Sequence, residues 1–239
     1  MIEHHLMKLR ARDDVSADEE MAIRAAISEI RNYPADITAI RAGDELDECI
    51  LLVEGLMCRS KDLRDGERQI TELHIAGDFV DLHSFTLKRL DHDVSTLTSC
   101  RVAVVPHENV QRITEEHPHL TRLYWFLTNM DAAVQREWAL SLGRRSAISR
   151  MANLFCELDV RLGVIGLSSD GSYQLDLTQN ELGEVLGLTT VHVNRTLMRL
   201  RSQGLLEFRD GRVRIERPEA LREIAQFDAA YLYLEKRPR

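Results

Sequence analysis

The side chains best suited to binding another molecule lie on one predicted helix near the C-terminus. Apolar residues recur there every three or four positions, which gives the helix one core face and one solvent face. The solvent face carries Val191, His192, Asn194, Arg195 and, one turn later, Arg199. Arginine pairs bidentately with guanine, and asparagine does so with adenine. The pattern indicates base recognition. The sequence shows no nucleophile motif, phosphate loop or metal-spaced ligand set, so no catalytic residue, no metal site and no enzyme activity are predicted.

Two helix-start signals position this helix. Thr178 and Glu181 have the spacing of a capping box, in which each side chain satisfies the other residue's main-chain N–H. Gly187 suits the turn that ends one helix and tilts the next. Thr189 or Thr190 then caps a second helix. The inward positions of that second helix are Val193, Leu197 and Leu200. The spacing predicts a helix-turn-helix.

A β-hairpin is predicted directly after the second helix. Asp210-Gly211 stands between two short alternating runs, and this dipeptide favours a two-residue hairpin turn. The hairpin supplies a wing and adds Arg212 to the predicted DNA-binding residues. The helix-start residues Thr178, Thr189 and Thr190 complete that set. The alternative interpretation is an ordinary helical pair with a solvated arginine face.

Charge is distributed unevenly along the chain. The 239 residues carry a formal net charge of -8. Residues 1–143 carry a net charge of -10 and residues 144–217 carry +2, and every Lys or Arg position of the second range is arginine. No acidic residue lies between Glu184 and Glu207. A local basic face on an acidic protein is expected where one module contacts phosphates.

The preceding elements change in kind along the chain. Ser16 and Glu19 form another capping box and predict a helix over residues 16–32. Short apolar runs separated by glycine turns then predict an antiparallel barrel or sandwich. Its expected strands cover residues 49–53, 56–61, 68–75, 94–98 and 101–105. Helices are expected at residues 108–116, from Pro118 onward and at residues 146–162, followed by a short strand at 173–177.

The long helix that begins at Pro118 carries two apolar stripes. Leu123, Leu127, Met130 and Val134 form one stripe near a three-four spacing. Two stripes require two partners, and one partner is predicted to be the same helix of a second subunit, with these four residues at the dimer interface. The alternative is that one subunit buries both stripes.

These motifs together resemble the Crp/Fnr transcription regulators. Residues 178–208 are similar to the family's DNA-binding helix pair. Gly43-Asp44, Val53-Glu54-Gly55 and Ala76-Gly77-Asp78-Phe79 resemble the turns of its β-roll, so the resemblance covers residues 36–217. It implies an α+β fold with an N-terminal antiparallel β-roll or jelly-roll sensor domain, a long dimerisation helix and a C-terminal winged helix-turn-helix.

The resemblance also sets the expected boundaries and partners. The domains are an N-terminal helical segment (1–33), the β-roll (34–116), the dimerisation helix (117–143), the winged helix-turn-helix (144–217) and a C-terminal helix (218–239). The family implies a homodimer that binds a two-fold symmetric site in double-stranded DNA, with RNA polymerase as a further partner. Arg195 matches the family's guanine-reading arginine. Val191 stands where members that read the common half-sites have glutamate, so a different half-site is expected.

The sensor domain departs from the cyclic-nucleotide binders of this family. Those members follow a Gly-Glu-Leu turn with an arginine that pairs with the cyclic phosphate, whereas that position falls near Leu90-Asp91 here. Asp81 and Asp91 are expected to face an anion and repel it. Arg89 lies one residue away and leaves cyclic-nucleotide binding open as an alternative.

No cofactor is predicted. The family's iron-sulfur members place three cysteines near the N-terminus, whereas no cysteine precedes Cys49 here. Haem stays an alternative through His74, His83 or His92. Cys156 is a possible redox site, and a buried, unreactive thiol is the competing interpretation.

The sequence also predicts where the protein acts. It contains no apolar run long enough to cross a membrane and no secretory leader, so a cytoplasmic location without a membrane partner is expected. The alternative function is a ligand-binding or protein-interaction module that has lost DNA binding.

Overall fold

The computed structural model describes residues 1–238 and confirms the α+β fold. The helices of its N-terminal part are α1 (Glu3–Arg10), α2 (Ala17–Ala25), α3 (Ser84–Leu87) and α4 (His107–Glu116). The strands are β1 (Glu29–Tyr33), β2 (Thr38–Ile40), β3 (Glu48–Glu54), β4 (Met57–Asp62), β5 (Arg68–His74), β6 (Asp93–Thr96) and β7 (Cys100–Pro106). The five strands expected from the turn signals are all present.

The seven strands form two sheets. One sheet has the order β1-β7-β3 and the other has the order β2-β6-β4-β5. Strand β7 is central to the first sheet: Val104 pairs with Glu29 on β1 and with Ile50 on β3, both in antiparallel register. Neither β1 nor β2 is predicted from the sequence.

The N-terminal helical segment is shorter than its apolar spacing predicts. Ser16 and Glu19 form the expected capping box, but α2 ends at Ala25. The chain then enters β1, whose main-chain groups pair with β7. The prediction of a helix over 16–32 was therefore wrong beyond residue 25, because a partner strand about 75 residues away competes for this segment. Helix α1 precedes it within the predicted helical segment (1–33), but a separate helix there was not predicted.

The β-roll has apolar residues buried on both faces of β3. Successive side chains of a strand point to opposite faces. Leu51 and Val53 belong to one buried cluster with residues of α1, α2, α4 and β7. Ile50 and Leu52 belong to a second cluster with Met57, Val94 and other residues of the roll. The near-continuous apolar run of β3 is explained by this burial on both faces.

The C-terminal part is helical with one small sheet. Its helices are α5 (Pro118–Arg144), α6 (Ala147–Val164), α7 (Gln179–Leu186), α8 (Thr190–Ser202) and α9 (Pro218–Ala225), followed by a 3-10 turn at Ala229–Leu232. Its strands β8 (Ser168–Ser169), β9 (Ser172–Gln174), β10 (Leu206–Arg209) and β11 (Arg212–Ile215) lie in the order β10-β11-β9-β8. The expected strand at 173–177 is thus shorter, and the expected helix at 218–239 ends at Ala225.

The chain divides into two compact units. The first contains residues 1–61, 72–132 and 233–238, and the second contains residues 62–71 and 133–232. Within the second unit, the buried carboxylate of Glu157 on α6 accepts hydrogen bonds from Trp138 Nε1 (3.1 Å) and Tyr231 Oη (2.7 Å). In the described residues, none of the helices combines the length and apolar character that crossing a membrane requires.

Candidate nucleic-acid interface

Helix α7 begins and ends where its local signals predict. Thr178 Oγ1 accepts a hydrogen bond from the N–H of Glu181 at 3.2 Å, and the Glu181 carboxylate accepts one from the N–H of Thr178 at 2.6 Å. Gly187 ends the helix with a φ of 59°, a conformation that glycine adopts readily. The Thr178 hydroxyl also donates to Glu181 at 2.8 Å, so its proton is not free for a phosphate. Thr178 is therefore the N-cap of α7.

Helix α8 has the inner face that its apolar spacing predicts. Thr189 caps it, with Oγ1 accepting a hydrogen bond from the N–H of His192 at 3.3 Å. Val193, Leu197 and Leu200 are buried. Thr189, rather than Thr190, is thus the capping residue, and its hydroxyl proton stays available.

The outer face of α8 presents a continuous set of exposed side chains. Its members are Thr190, Val191, His192, Asn194, Arg195, Met198 and Arg199. Val191 is 70% exposed, which is unusual for a branched apolar residue and leaves its methyl groups free for contact. Asn194 Nδ2 donates to Gln179 Oε1 at 3.3 Å, so the start of α7 orients this amide. We name these seven residues the recognition face.

The predicted wing is present directly after α8. Strands β10 and β11 pair in antiparallel register, with Arg209 opposite Arg212. Asp210 and Gly211 at the tip both have positive φ, 51° and 71°, as a two-residue hairpin turn requires. Arg212 is exposed at the end of the hairpin. The wing therefore adds a cation to the basic side of this unit.

The inner stripe of α5 is buried within its own protomer, which corrects the predicted dimer seam. Leu123 is fully buried in the β-roll cluster, and Leu127 packs against the same cluster. Val134 is also buried, and Met130 is partly buried with its sulfur facing Arg12 Nη2 at 3.9 Å. Spacing alone indicated a face of the helix, whereas packing decided that this face points inward.

A different stripe of α5 is exposed. It consists of Trp125, Asn129, Ala132, Arg136 and Leu140, again at spacings of three and four. Trp125 is 68% exposed and Leu140 is 49% exposed. Large apolar side chains in register along an exposed helix mark an interaction surface. We name these five residues the outer stripe.

The sensor core contains a buried ion cluster that the sequence did not reveal. Arg59 Nη1 donates to Glu72 Oε2 at 2.6 Å, its Nη2 donates to Asp131 Oδ2 at 3.2 Å, and its Nε donates to Val80 O at 2.8 Å. Burial raises the pKa of Asp131 to about 8, with the nearby Glu72 carboxylate adding to the effect. Each of the three guanidinium nitrogens of Arg59 thus donates a hydrogen bond to another group of the protein. The partners lie 13 to 72 residues apart along the chain, which hides the cluster from sequence patterns.

Asp81 does not face a ligand site, contrary to the sequence-based expectation. It is fully buried, and its carboxylate accepts hydrogen bonds from the N–H of Ile50 at 2.7 Å and from Ser84 Oγ at 3.3 Å. Burial raises the pKa of Asp81 to about 7. Asp91 and Arg89 are exposed instead, where Asp91 pairs with Lys61 and Arg89 pairs with Glu45.

Helix α1 covers the turn that resembles the family's phosphate-side turn. His5 Nδ1 donates to Gly77 O at 2.9 Å, and Lys8 forms an ion pair with Asp78. A Cβ atom on Gly77 would lie 2.7 Å from the main-chain carbon of His4, so only glycine permits this approach. The rings of His5 and Phe79 pack edge to face. The turn is thus enclosed by the protein's own N-terminal helix.

The histidines and cysteines considered as cofactor ligands are buried or half-buried. Within residues 1–238, no three His, Cys, Asp or Glu side chains are grouped so as to hold a metal ion. His74 is buried, and His83 and His92 stack with ring centroids 5.4 Å apart. All four cysteines are buried as free thiols. Burial raises the pKa of Cys156 to about 12, so a neutral, unreactive thiol fits this position better than a redox site.

A β-roll, a long helix and a winged helix-turn-helix in this order define a class of DNA-binding proteins. Residues 149–224 match the Crp-like helix-turn-helix domain, and residues 30–117 match the cyclic nucleotide-binding domain. Transcriptional activator protein FnrL of Cereibacter sphaeroides is 30% identical over 193 residues, which cover 79% of this chain and 76% of FnrL. The chain belongs to the Crp/Fnr family and is a DNA-binding transcription regulator rather than an enzyme.

Further comparisons agree with this assignment. The fumarate and nitrate reduction regulatory protein of Escherichia coli is 26% identical over 188 residues, which cover 79% of this chain and 75% of that protein. The structure of FixK2 from Bradyrhizobium japonicum has a TM-score of 0.75 at 24% identity and covers 82% of this chain and 96% of FixK2. The c-di-GMP responsive regulator CLP of Xanthomonas campestris has a TM-score of 0.66 at 18% identity, covering 84% of this chain and all of that chain. The two structures support the fold alone.

Proposed function

We propose that this regulator is a homodimer that places one α8 helix in the major groove of each half of a two-fold symmetric DNA site. The exposed recognition face of α8 carries the proposal. It is free of acidic residues, and it stands on a helix that is capped at its start and buried along its inner side. A helix presented in this way is the element that enters the major groove in helix-turn-helix proteins.

The recognition face suggests how bases are read. Arg195 is proposed to pair with guanine and Asn194 with adenine, while the methyl groups of Val191 are suited to the methyl group of thymine. The residues proposed to contact phosphates or neighbouring base edges are Thr189, Thr190, His192, Arg199 and Arg212. Contacts of this kind fix the register of a protein on DNA, and the base contacts then select the sequence.

The outer stripe of α5 supports the homodimer. A second copy of the same helix offers Trp125 and Leu140 exposed apolar side chains of the same kind, and a two-fold axis pairs the same surface on both protomers. Small Ala132 lies between them and permits close approach of the two helices. A dimer with a two-fold axis presents its two α8 helices symmetrically, which matches a two-fold symmetric DNA site. RNA polymerase is a further proposed partner, by analogy with other transcription regulators of the family.

The β-roll is proposed not to bind a cyclic nucleotide in the usual way. Arg59 is engaged by Glu72 and Asp131, Arg89 is exposed and paired with Glu45, and α1 covers the turn at Gly77. Each of these arrangements removes a group that would hold a phosphate. An iron-sulfur cluster needs several cysteine thiolates close together, and residues 1–238 contain no such group of cysteines, which supports leaving a cluster out. No cofactor is therefore included in the proposal.

Selection of operators from a random DNA library tests this function. Purified protein without added ligand is expected to enrich a symmetric sequence, and its affinity is expected to fall steeply between about 50 and 200 mM salt. Arg195→Ala is expected to lose this enrichment, whereas Arg222→Ala, which removes an exposed arginine of α9, is expected to retain it. A folded protein that enriches no sequence, or equal enrichment by the Arg195→Ala variant, would contradict the proposal and favour an interaction module without DNA binding.

A further inference from the structure

Arg150 on α6 binds the C-terminal ends of two other helices of the second unit. Its guanidinium donates hydrogen bonds to four main-chain oxygens. These are Ser141 O (3.1 Å), Leu142 O (3.0 Å) and Arg145 O (3.3 Å) at the end of α5, and Leu186 O at the end of α7. A single side chain therefore joins the last turn of α5 to the last turn of α7.

The chemistry of helix ends explains why an arginine occupies this position. The last four carbonyls of a helix have no partner within the helix, and the helix dipole makes this end negative. A guanidinium carries five N–H donors in a rigid planar fork, which no other side chain supplies. Burial lowers the pKa of Arg150, and among residues 1–238 no carboxylate is paired with it to offset this effect. The cation is held by carbonyl oxygens alone.

A second contact completes the support of α7. Gln69, at the start of β5, donates through Nε2 to Glu184 O at 2.6 Å and to Val185 O at 3.2 Å. Arg68 donates to the carboxylate of Glu184 at 2.5 Å through Nη2. The carbonyls of residues 184, 185 and 186 thus all accept hydrogen bonds from side chains outside α7.

The turn between α7 and α8 lies directly against these groups. A Cβ atom on Gly187 would be 3.3 Å from Leu142 Cδ2 and 3.5 Å from Arg150 Nη1. The glycine that tilts α8 is therefore packed on the end of α5 and beside the guanidinium. The direction of α8 is defined by the same contact that fixes α7.

We infer that Arg150 is a positioning residue that holds the recognition face of α8 in a fixed orientation to the C-terminal turn of α5, and so sets the spacing between DNA half-sites that the dimer accepts. The inference rests on the proposed function, in which α5 forms the dimer seam. Arg150 touches no base in this arrangement. It acts through the two helix ends that it joins.

The spacing of the operator gives a readout that a merely structural role would not change. The selected operator is compared with versions in which the spacer between half-sites is one base pair shorter or longer. The wild-type protein is expected to prefer its own spacer. Arg150→Ala is expected to reduce that preference by about threefold or more. Both the spacer length and the Arg150 side chain constrain how the two α8 helices are oriented, so their effects are coupled. Arg150→Lys, which keeps the charge but not the fork, is expected to be intermediate.

Matched measurements separate this result from a loss of folding. Arg222→Ala removes an exposed arginine on α9 and is expected to keep the wild-type spacing preference. Thermal unfolding and molar mass identify variants that are folded and dimeric. If folded Arg150→Ala and Arg150→Lys bind all spacers more weakly by the same factor, the inference is overturned. A wild-type protein that selects no operator would instead contradict the proposed function.

A measurement without DNA keeps the inference testable in that case. Spin labels on Met198→Cys, an exposed position of α8, report the distance between the two recognition helices of the dimer. The distance distribution is expected to broaden in Arg150→Lys relative to the protein that carries Met198→Cys alone. An unchanged width would overturn the role assigned to Arg150.

Discussion

Arg59 and Glu72 form a buried ion pair across β4 and β5, with 2.6 Å between Nη1 and Oε2. Removing one partner of such a pair leaves an uncompensated charge in the core. Arg59→Ala is expected to lower the free energy of unfolding by about 3–5 kcal/mol, measured by urea denaturation. Arg89→Ala, which breaks the exposed pair with Glu45, is the control and is expected to change stability little. If both substitutions lowered the free energy of unfolding equally, the prediction that the buried Arg59 pair is more important for stability would be wrong.

The half-site preference is expected to depend on Val191. Its side chain is exposed on the recognition face and cannot accept a hydrogen bond. Val191→Glu introduces an acceptor for the amino group of cytosine, so operator selection is expected to return a different half-site. The discrimination at the altered base pair is expected to be about 1–3 kcal/mol. Recovery of one and the same operator by both proteins would show that position 191 does not read a base.

The outer stripe of α5 is expected to control the oligomeric state. In the proposed dimer, Trp125→Glu and Leu140→Glu each replace an exposed apolar side chain of the seam by a charge, and two-fold symmetry brings a second carboxylate nearby. Both variants are expected to shift the molar mass in light scattering from dimer towards monomer. Leu87→Glu, which changes an exposed leucine of α3, is expected to leave the mass unchanged. Intact dimers in both stripe variants would place the seam elsewhere.

Stability is expected to depend on pH through His119. Its Nε2 lies 3.1 Å from Asp13 and its Nδ1 lies 2.6 Å from Glu19. Burial lowers the pKa of His119, but the hydrogen bonds to Asp13 and Glu19 outweigh it, so the pKa is raised overall. A group whose pKa is raised by folding stabilises the fold when the pH lies below its pKa in the unfolded chain. This contribution is lost as the pH rises through its pKa in the folded protein.

Comparison of the wild type with His119→Gln measures this contribution. The stability difference is expected to be larger near about pH 5.5 than near about pH 8.5. Asp13 and Glu19 are the carboxylates that face the ring, and both belong to the N-terminal segment. His192→Gln, an exposed histidine of α8, serves as control. A difference that grows with rising pH would refute the assignment, because its sign would be reversed.

Local signals in the sequence were sufficient for the recognition element. The capping pair Thr178 and Glu181, the turn at Gly187 and the hairpin turn at Asp210-Gly211 all form as predicted. The division of α8 into a buried face and an exposed face also follows from its spacing. In each case the interacting groups lie within a few residues of one another, so the chain order itself brings them together.

Other features depended on partners that are distant in the sequence. The spacing of apolar residues placed Leu123 on a stripe of α5, but only packing against the β-roll decided that this stripe faces inward, and the exposed stripe that contains Trp125 was not predicted. Strand β1 forms where the end of a helix was predicted, because the main-chain groups of β1 hydrogen-bond to β7. Arg59 binds Glu72 and Asp131, and Arg150 binds Leu186 O. These partners are distant in the sequence, so no local pattern predicts the contacts. The sequence by itself determined which elements form by local hydrogen bonding, and the tertiary structure decided which of their faces meet, because that choice depends on burial and charge compensation across the whole chain.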